Sequence, residues 1–208
     1  MQRAALEALR RLQDGNKRFV DDLAGRGEVL HGERRAELVA RQEPFAIVLG
    51  CSDSRVPLEI VFDQGLGDLF VIRVAGNIVA PSLVGSVEFA AQRFGTRLVV
   101  VLGHSGCGAV AATLEELERP SGERSPNLRS IVDRIRPAVE TLFETELRLD
   151  PAELSKRAVR ANIRSSVDHL RHGSRVLEEL IATDGLVVVG AEYDLETGLV
   201  AFFDTPEG

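Results

Sequence analysis

Tryptophan is absent from this 208-residue chain, tyrosine and methionine occur once each, cysteine twice, and aromatic residues make up 5% of the total. Two cysteines are too few for a disulfide framework and are better read as a metal or catalytic pair. No apolar run approaches the roughly 20 residues that a membrane span needs. Basic residues are in deficit, 25 Lys and Arg against 32 Asp and Glu, for a formal net charge of -7. That balance argues against a nucleic-acid backbone or an anionic membrane as partner. The opening MQRAALEALRRLQDGNKRF lacks the uninterrupted apolar stretch of a signal peptide. Leu6, Leu9, Leu12 and Phe19 instead fall on one face of an amphipathic helix. A cytoplasmic protein is the expectation. No internal repeat and no low-complexity segment interrupts the chain.

With 44% hydrophobic residues the chain can bury one sizeable core, so one domain over residues 1–208 is expected. Its runs FAIVLGC (45–51), LFVIRV (69–74), RLVVVLG (97–103) and LVVVGAEY (186–193) show little polar alternation, as expected of strands covered on both faces. Segments of helical period separate them. The pattern is α/β, with a mostly parallel sheet flanked by helices. LVAFFD (199–204) follows Tyr193 through the short turn DLETG and is expected as an antiparallel edge strand. Pro57 and Pro81 mark helix starts, Gly95 a helix stop, and ERPSGERSPN (118–127) a surface loop. Leu154, Ala158, Ile163, Val167 and Leu170 give one apolar helix face, whose arginines read as a solvated or interface surface.

The chemistry concentrates in VLGCSDSRVP (48–57) and GHSGCGAV (103–110). Cys51 ends the first strand and His104 the third, at the carboxyl edge where open α/β sheets bind ligands. In a 2-1-3-4 strand order those strands are neighbours about 4.8 Å apart, so Cys51 and His104 converge. Cys107 follows in the first turn of the next helix. Two thiolates and an imidazole suit zinc and do not suit magnesium or calcium. There is no third cysteine to close the set, and His31, His169 and His172 lie in polar helical segments. The fourth position then falls to water or to Asp53. An open position marks catalytic zinc, which lowers the pKa of bound water to about 7. Asp53 either binds the metal or accepts a hydrogen bond beside it while Arg55 holds it away; the plainer reading is a local turn with a surface ion pair. GHSGC also approaches the G-x-S-x-G nucleophile elbow with Ser105 as nucleophile, but position 107 is Cys and no acid or His partner follows at an obvious place.

CSDSR together with HSGCGAV resembles the β-class carbonic anhydrases, zinc enzymes that interconvert carbon dioxide and bicarbonate. The likeness extends through RQEPFAIVLGCSDSRVP, GDLFVIRVAGN, SVEFAAQRFG, LVVVLGHSGCGAV and VVVGAEYDLETG. It implies one Zn2+ per subunit on Cys51, His104 and Cys107. It gives Asp53 and Arg55 the place of the catalytic dyad, with Asp53 as the fourth ligand in a closed state. Gln42, Phe70, Ala75, Phe89 and Gly108 take substrate-pocket positions, Phe89 standing where many relatives carry Tyr. The implied assembly is a homodimer or homotetramer, with a helical arm (1–40) packing on the partner and a catalytic core (41–208). Arg73 and Tyr193 match two of three positions of an inhibitory bicarbonate site found in some bacterial members. The third, a Trp, is Val48 here, which speaks against that regulation. The implied reaction is hydration of carbon dioxide through zinc-bound hydroxide, with His31 a weak candidate for the proton shuttle. The rivals are a carbonyl sulfide or carbon disulfide hydrolase on the same zinc site, a non-enzymatic zinc protein, and the serine hydrolase.

Overall fold

The computed structural model describes residues 2–21, 38–119 and 125–205. Five strands form one sheet: β1 (Ala46–Cys51), β2 (Leu69–Val74), β3 (Leu98–His104), β4 (Val187–Tyr193) and β5 (Val200–Phe203). Their order is β2-β1-β3-β4-β5, parallel except for the antiparallel β4–β5 edge. Every residue of β1, β3 and β4 is buried. That explains why these runs carry Val, Ile and Leu at both parities: each face of the sheet has its own apolar cover.

The two covers differ. Ile47, Leu49, Val99, Val101 and Val188 face the larger helical layer. This layer holds α3 (Pro81–Arg93), α4 (Gly108–Glu118), α5 (Pro126–Phe143), α6 (Pro151–His172) and α7 (Arg175–Thr183). Ala46, Val48, Leu98, Val100, Val187 and Val189 face the other side. There they meet α1 (Arg3–Val20) and the single turn α2 (Leu58–Val61).

α1 seats Ala5, Ala8, Leu9 and Leu12 on this chain's own sheet. At Gly15 a Cβ would stand 1.8 Å from the Phe62 carbonyl oxygen, so only glycine allows the helix so close. Asn16 then donates to the Val61 and Gly198 carbonyls at 3.1 and 2.9 Å and accepts from the Val200 amide at 2.8 Å. The described part of the expected arm is thus tied to its own chain by packing, by the three hydrogen bonds of Asn16, and by Arg11 and Arg18 reaching Gln64, Asp68 and Asp63. Residues 22–37, with His31, lie outside the described residues, as do 120–124 of the expected surface loop.

The apolar pattern over 151–183 resolves into two helices. α6 starts at Pro151, with the Asp150 side chain accepting from the Glu153 amide at 3.1 Å. It stops at Gly173, where a Cβ would be 2.5 Å from the His169 carbonyl oxygen. Ser174 then caps α7 by accepting from the Leu177 amide at 3.2 Å. The arginines of α6 do more than coat a surface: Arg160 pairs with Glu192, which is nearly buried, at 2.6 Å, and Arg171 caps the Val188 carbonyl.

Candidate metal centre

Parallel pairing of β1 and β3 aligns Gly50 with Leu102, so Cys51 and His104 leave the sheet side by side at its carboxyl edge. A tight turn with Gly106 at φ 64° brings the chain back to Cys107. Cys107 is the residue that caps α4, one place before the first turn expected for it. The ligand atoms of Cys51, His104 and Cys107 all lie within 4.8 Å of one another. The three residues are 5%, 0% and 2% exposed.

Two observations test whether this set fits a metal. His104 Nδ1 lies 3.0 Å from the Ser105 carbonyl oxygen, a contact in which it donates its proton, leaving Nε2 with a free lone pair. Nε2 is buried and has no hydrogen-bond partner among the described residues. A buried polar nitrogen is seldom left so, and an orphan aimed at two sulfurs is what a metal ligand looks like. The thiols agree. Cys107 donates to Cys51 and draws it down to about 4, with the Gly76 amide adding a bond at 3.3 Å. Cys107 in turn is pushed up by the Cys51 sulfur and by burial. The two shifts run in opposite directions, and a dication placed between the sulfurs favours the thiolate of both. The residues present therefore fit zinc.

Asp53 sits beside this cluster. Its Oδ1 accepts from Arg55 Nε at 2.9 Å and from the Arg55 amide at 2.9 Å, while Oδ2 accepts from Arg55 Nη2 at 2.7 Å. The local turn and the ion pair are both present, so the plain reading of CSDSR was correct as far as it went. The fork holds the Asp53 carboxyl well below the usual carboxylate range. It also aims Oδ2 to within 3.8 Å of His104 Nε2, which makes the turn a fixture of the metal centre.

Arg73 secures the loop from β2, donating to the Cys51 carbonyl at 3.0 Å and the Asp53 carbonyl at 2.7 Å. Val48 is fully buried in the layer facing α1, and Tyr193 is buried where β4 pairs with His104. Ser105 Oγ accepts from the Leu195 amide at 2.9 Å and so ties down the turn after β4. No described Asp, Glu or His is bonded to it as a nucleophile's base would be.

The five residues expected to line a substrate pocket do not converge within one chain. Ala75 follows β2 at the carboxyl edge and Gly108 follows Cys107. Phe70, by contrast, pairs with Ile47 near the start of β1, four residues back from the Cys51–Val74 pair. At roughly 3.3 Å per residue that is about 13 Å from the metal ligands. Gln42 precedes β1 altogether and lines a cavity of about 500 Å³ with Val39, Arg93 and Phe94. Phe89, exposed on α3, joins Phe70 and Phe94 in an aromatic cluster with centroids 5.6 to 6.2 Å apart. Missed from the sequence altogether was the turn Ala75–Asn77, whose Gly76 amide reaches Cys51; the dipeptide Gly76-Asn77 after a strand is the signal that marks it.

The family model described as carbonic anhydrase matches residues 46–200. The chain is 40% identical to a carbonic anhydrase of Mycolicibacterium smegmatis over 93% of its own length and 90% of that protein's. The crystal structure of the β-carbonic anhydrase CafA of Aspergillus fumigatus superposes with a TM-score of 0.75 at 26% identity, covering 98% of this chain and 92% of that one. A chain from the crystal structures of two tetrameric β-carbonic anhydrases of Sordaria macrospora shares the fold, with a TM-score of 0.75 at 24% identity and coverage of 97% of this chain and 100% of that one. With the fold, the two motifs and these likenesses in agreement, the chain belongs to the β-carbonic anhydrase family.

Proposed function

We propose that this protein catalyses the reversible hydration of carbon dioxide to bicarbonate and a proton, with one zinc held by Cys51, His104 and Cys107. The observation that carries the reading is the buried Cys-His-Cys cluster with its unpartnered Nε2, next to an Asp53 carboxylate clamped by Arg55. When bound, zinc supplies Lewis acidity, lowering the pKa of a coordinated water to about 7.

The chain's own residues supply the rest. Asp53, kept ionised by Arg55, offers Oδ2 as a hydrogen-bond acceptor beside the ligands, so it fixes the direction of the attacking oxygen's proton. Arg73 keeps the loop that carries Asp53 from drifting. Use of Asp53 as a fourth ligand would put Oδ2, the oxygen that accepts from Arg55 Nη2, in competition between the guanidinium and the metal.

Substrate recognition needs an apolar wall and a placed donor. Gln42, Phe70 and Phe89 have that chemistry but lie at the wrong end of their own sheet. They serve a metal centre in a second copy, so the working unit is a homodimer or a homotetramer. The exposed Phe89 supports this arrangement, since an aromatic wall left in water is stabilised by covering it. The arm over residues 1–40, if it embraces a partner, does so outside the seated face of α1. A cytoplasmic location accords with two free cysteines.

Stopped-flow measurement of carbon dioxide hydration on purified protein, with zinc content determined alongside, tests the reading. Catalysed hydration with one zinc per chain is expected. One zinc per chain and no hydration in mildly alkaline buffer overturns it, and turnover of carbonyl sulfide alone would reassign the same centre to that hydrolase.

A further inference from the structure

The Ala75–Asn77 turn is braced backbone beside the proposed metal ligands. Gly76 (φ 73°, ψ 17°) and Asn77 (φ 42°) are consecutive left-handed residues. Asparagine tolerates this region better than most residues, yet two in succession persist only where neighbours hold them. Gly76 has no freedom to be anything else: a Cβ would stand 2.8 Å from Ile135 Cδ1 and 2.9 Å from Ala109 Cβ.

The brace comes from α6. Asn162 Nδ2 donates to the Gly76 carbonyl at 2.8 Å, and Ser166 Oγ donates to the Asn77 carbonyl at 3.0 Å. The two are four residues apart, hence on one helix face. They are 2% and 5% exposed, among the buried Val159, Ile163 and Val167. Satisfying two buried carbonyls is reason enough for a polar pair in an apolar face. What distinguishes this turn is where its other side points, because the Gly76 amide donates to Cys51 Sγ at 3.3 Å.

We propose that Asn162 and Ser166 are positioning residues for the metal centre, holding the Gly76–Asn77 turn from α6 so that the Gly76 amide stays bonded to the Cys51 sulfur. The inference rests on the reading of Cys51, His104 and Cys107 as a metal site. An N–H bond to a ligating thiolate withdraws charge from the sulfur and fixes its orientation. Groups bonded directly to a ligand, as the Gly76 amide is to Cys51, commonly change metal affinity by about 10–100-fold, which sets the upper bound for a residue that acts through that amide. With Asn162 gone, the peptide between Gly76 and Asn77 loses its anchor and the amide on its far side loses its direction.

The test uses Asn162→Leu, which keeps the number and branching of side-chain heavy atoms and removes the donor, and Ser166→Ala, with Val167→Ala as a packing control on the same helix. Zinc affinity is measured by chelator competition on the full chain. The sulfur-to-metal charge-transfer band is recorded with cobalt(II) in place of zinc. Asn162→Leu should weaken zinc, by at most about 100-fold, and shift the band, with Ser166→Ala moving both less in the same direction. Val167→Ala should lower thermal stability and leave affinity and band unchanged. Should Asn162→Leu not fold, Ser166→Ala against Val167→Ala decides the matter. Affinity within about twofold of wild type and an unmoved band in the folded variants would overturn the inference. So would an equal loss of affinity in Val167→Ala. A wild-type chain that takes up neither metal overturns the metal-centre reading and this inference together, whereas wild-type binding with unaffected variants overturns this inference alone.

Discussion

At the carboxyl edge of the sheet, the proposed metal ligands Cys51, His104 and Cys107 are buried, and Asp53 is pinned beside them by three hydrogen bonds from Arg55. At the amino edge Phe89 is 52% exposed, Val39 is 85% exposed, and Gln42 makes no described hydrogen bond. The first edge draws on three strands and a helix cap, so its geometry is fixed by the core beneath it. The second hangs on an exposed aromatic cluster and the segment leading into β1, and nothing in one chain brings it to the metal. On the proposed reading, a centre that draws on both edges needs two copies of the chain, and substitutions at the two edges should behave differently.

The largest effect should come from the carboxyl edge. Cys107→Ala removes one of only three protein ligands, and hydration should fall to the uncatalysed rate with zinc content well below one per chain. Elemental analysis and stopped-flow assay on the same preparation check it. Asp53→Asn should be milder and of another kind: zinc is retained, and kcat/KM falls by about 10²–10⁴-fold as the ionised acceptor is lost. The pH dependence has a definite sign. Arg55 lowers the Asp53 pKa in the folded chain, so the contribution of this ion pair to stability is present above the ordinary carboxylate value of about 4. It is lost only as pH falls further, through the folded value. Urea melts of wild type and Asp53→Asn should therefore differ at neutral pH and converge in strong acid.

Gln42→Ala should leave the carboxyl edge untouched and lower kcat/KM by about 10-fold, the scale of one lost hydrogen bond to substrate. Mixing sharpens the comparison. A heterodimer of Gln42→Ala and Cys107→Ala chains holds one centre with intact ligands and an intact glutamine only if Gln42 works across the boundary. Its kcat/KM should then rise above that of the Gln42→Ala homodimer, toward half the wild-type value per zinc site expected. If Gln42 serves its own chain, mixing restores nothing.

The strands were legible to within one residue at each end because burial on both faces leaves an unbroken apolar run. The clustering of Cys51, His104 and Cys107 was legible because cysteines are scarce and because these residues sit at two strand ends and a helix start. What the sequence concealed is long-range. Asn162 and Ser166 look like polar interruptions of a helix until that helix is laid against Gly76, 86 residues away from Asn162. The family likeness implies Gln42, Phe70 and Phe89 as walls of one pocket, but motifs alone do not show that Phe70 pairs four residues back from Cys51 or that Gln42 precedes β1 altogether. The break of 151–183 at Gly173 was equally hidden, because both helices bury apolar residues at the same period.

The smallest effect tests the amino edge by addition. Phe89 packs edge-on against Phe94 at 5.6 Å and beside Phe70 at 6.2 Å, with half its surface free. In a single chain a hydroxyl added at the tip of such a ring stays in water, so Phe89→Tyr should shift unfolding free energy by no more than about 0.5 kcal/mol. At an interface the same hydroxyl lies near the partner's metal centre and can hydrogen-bond there, worth about 0.5–1.5 kcal/mol, or a two- to tenfold change in kcat/KM. Urea melts read the first quantity and stopped-flow the second. A change in kcat/KM with stability unmoved means that the exposed amino edge of one copy completes the buried carboxyl edge of another. If neither moves, the aromatic cluster faces solvent in the working enzyme, and the two edges act independently.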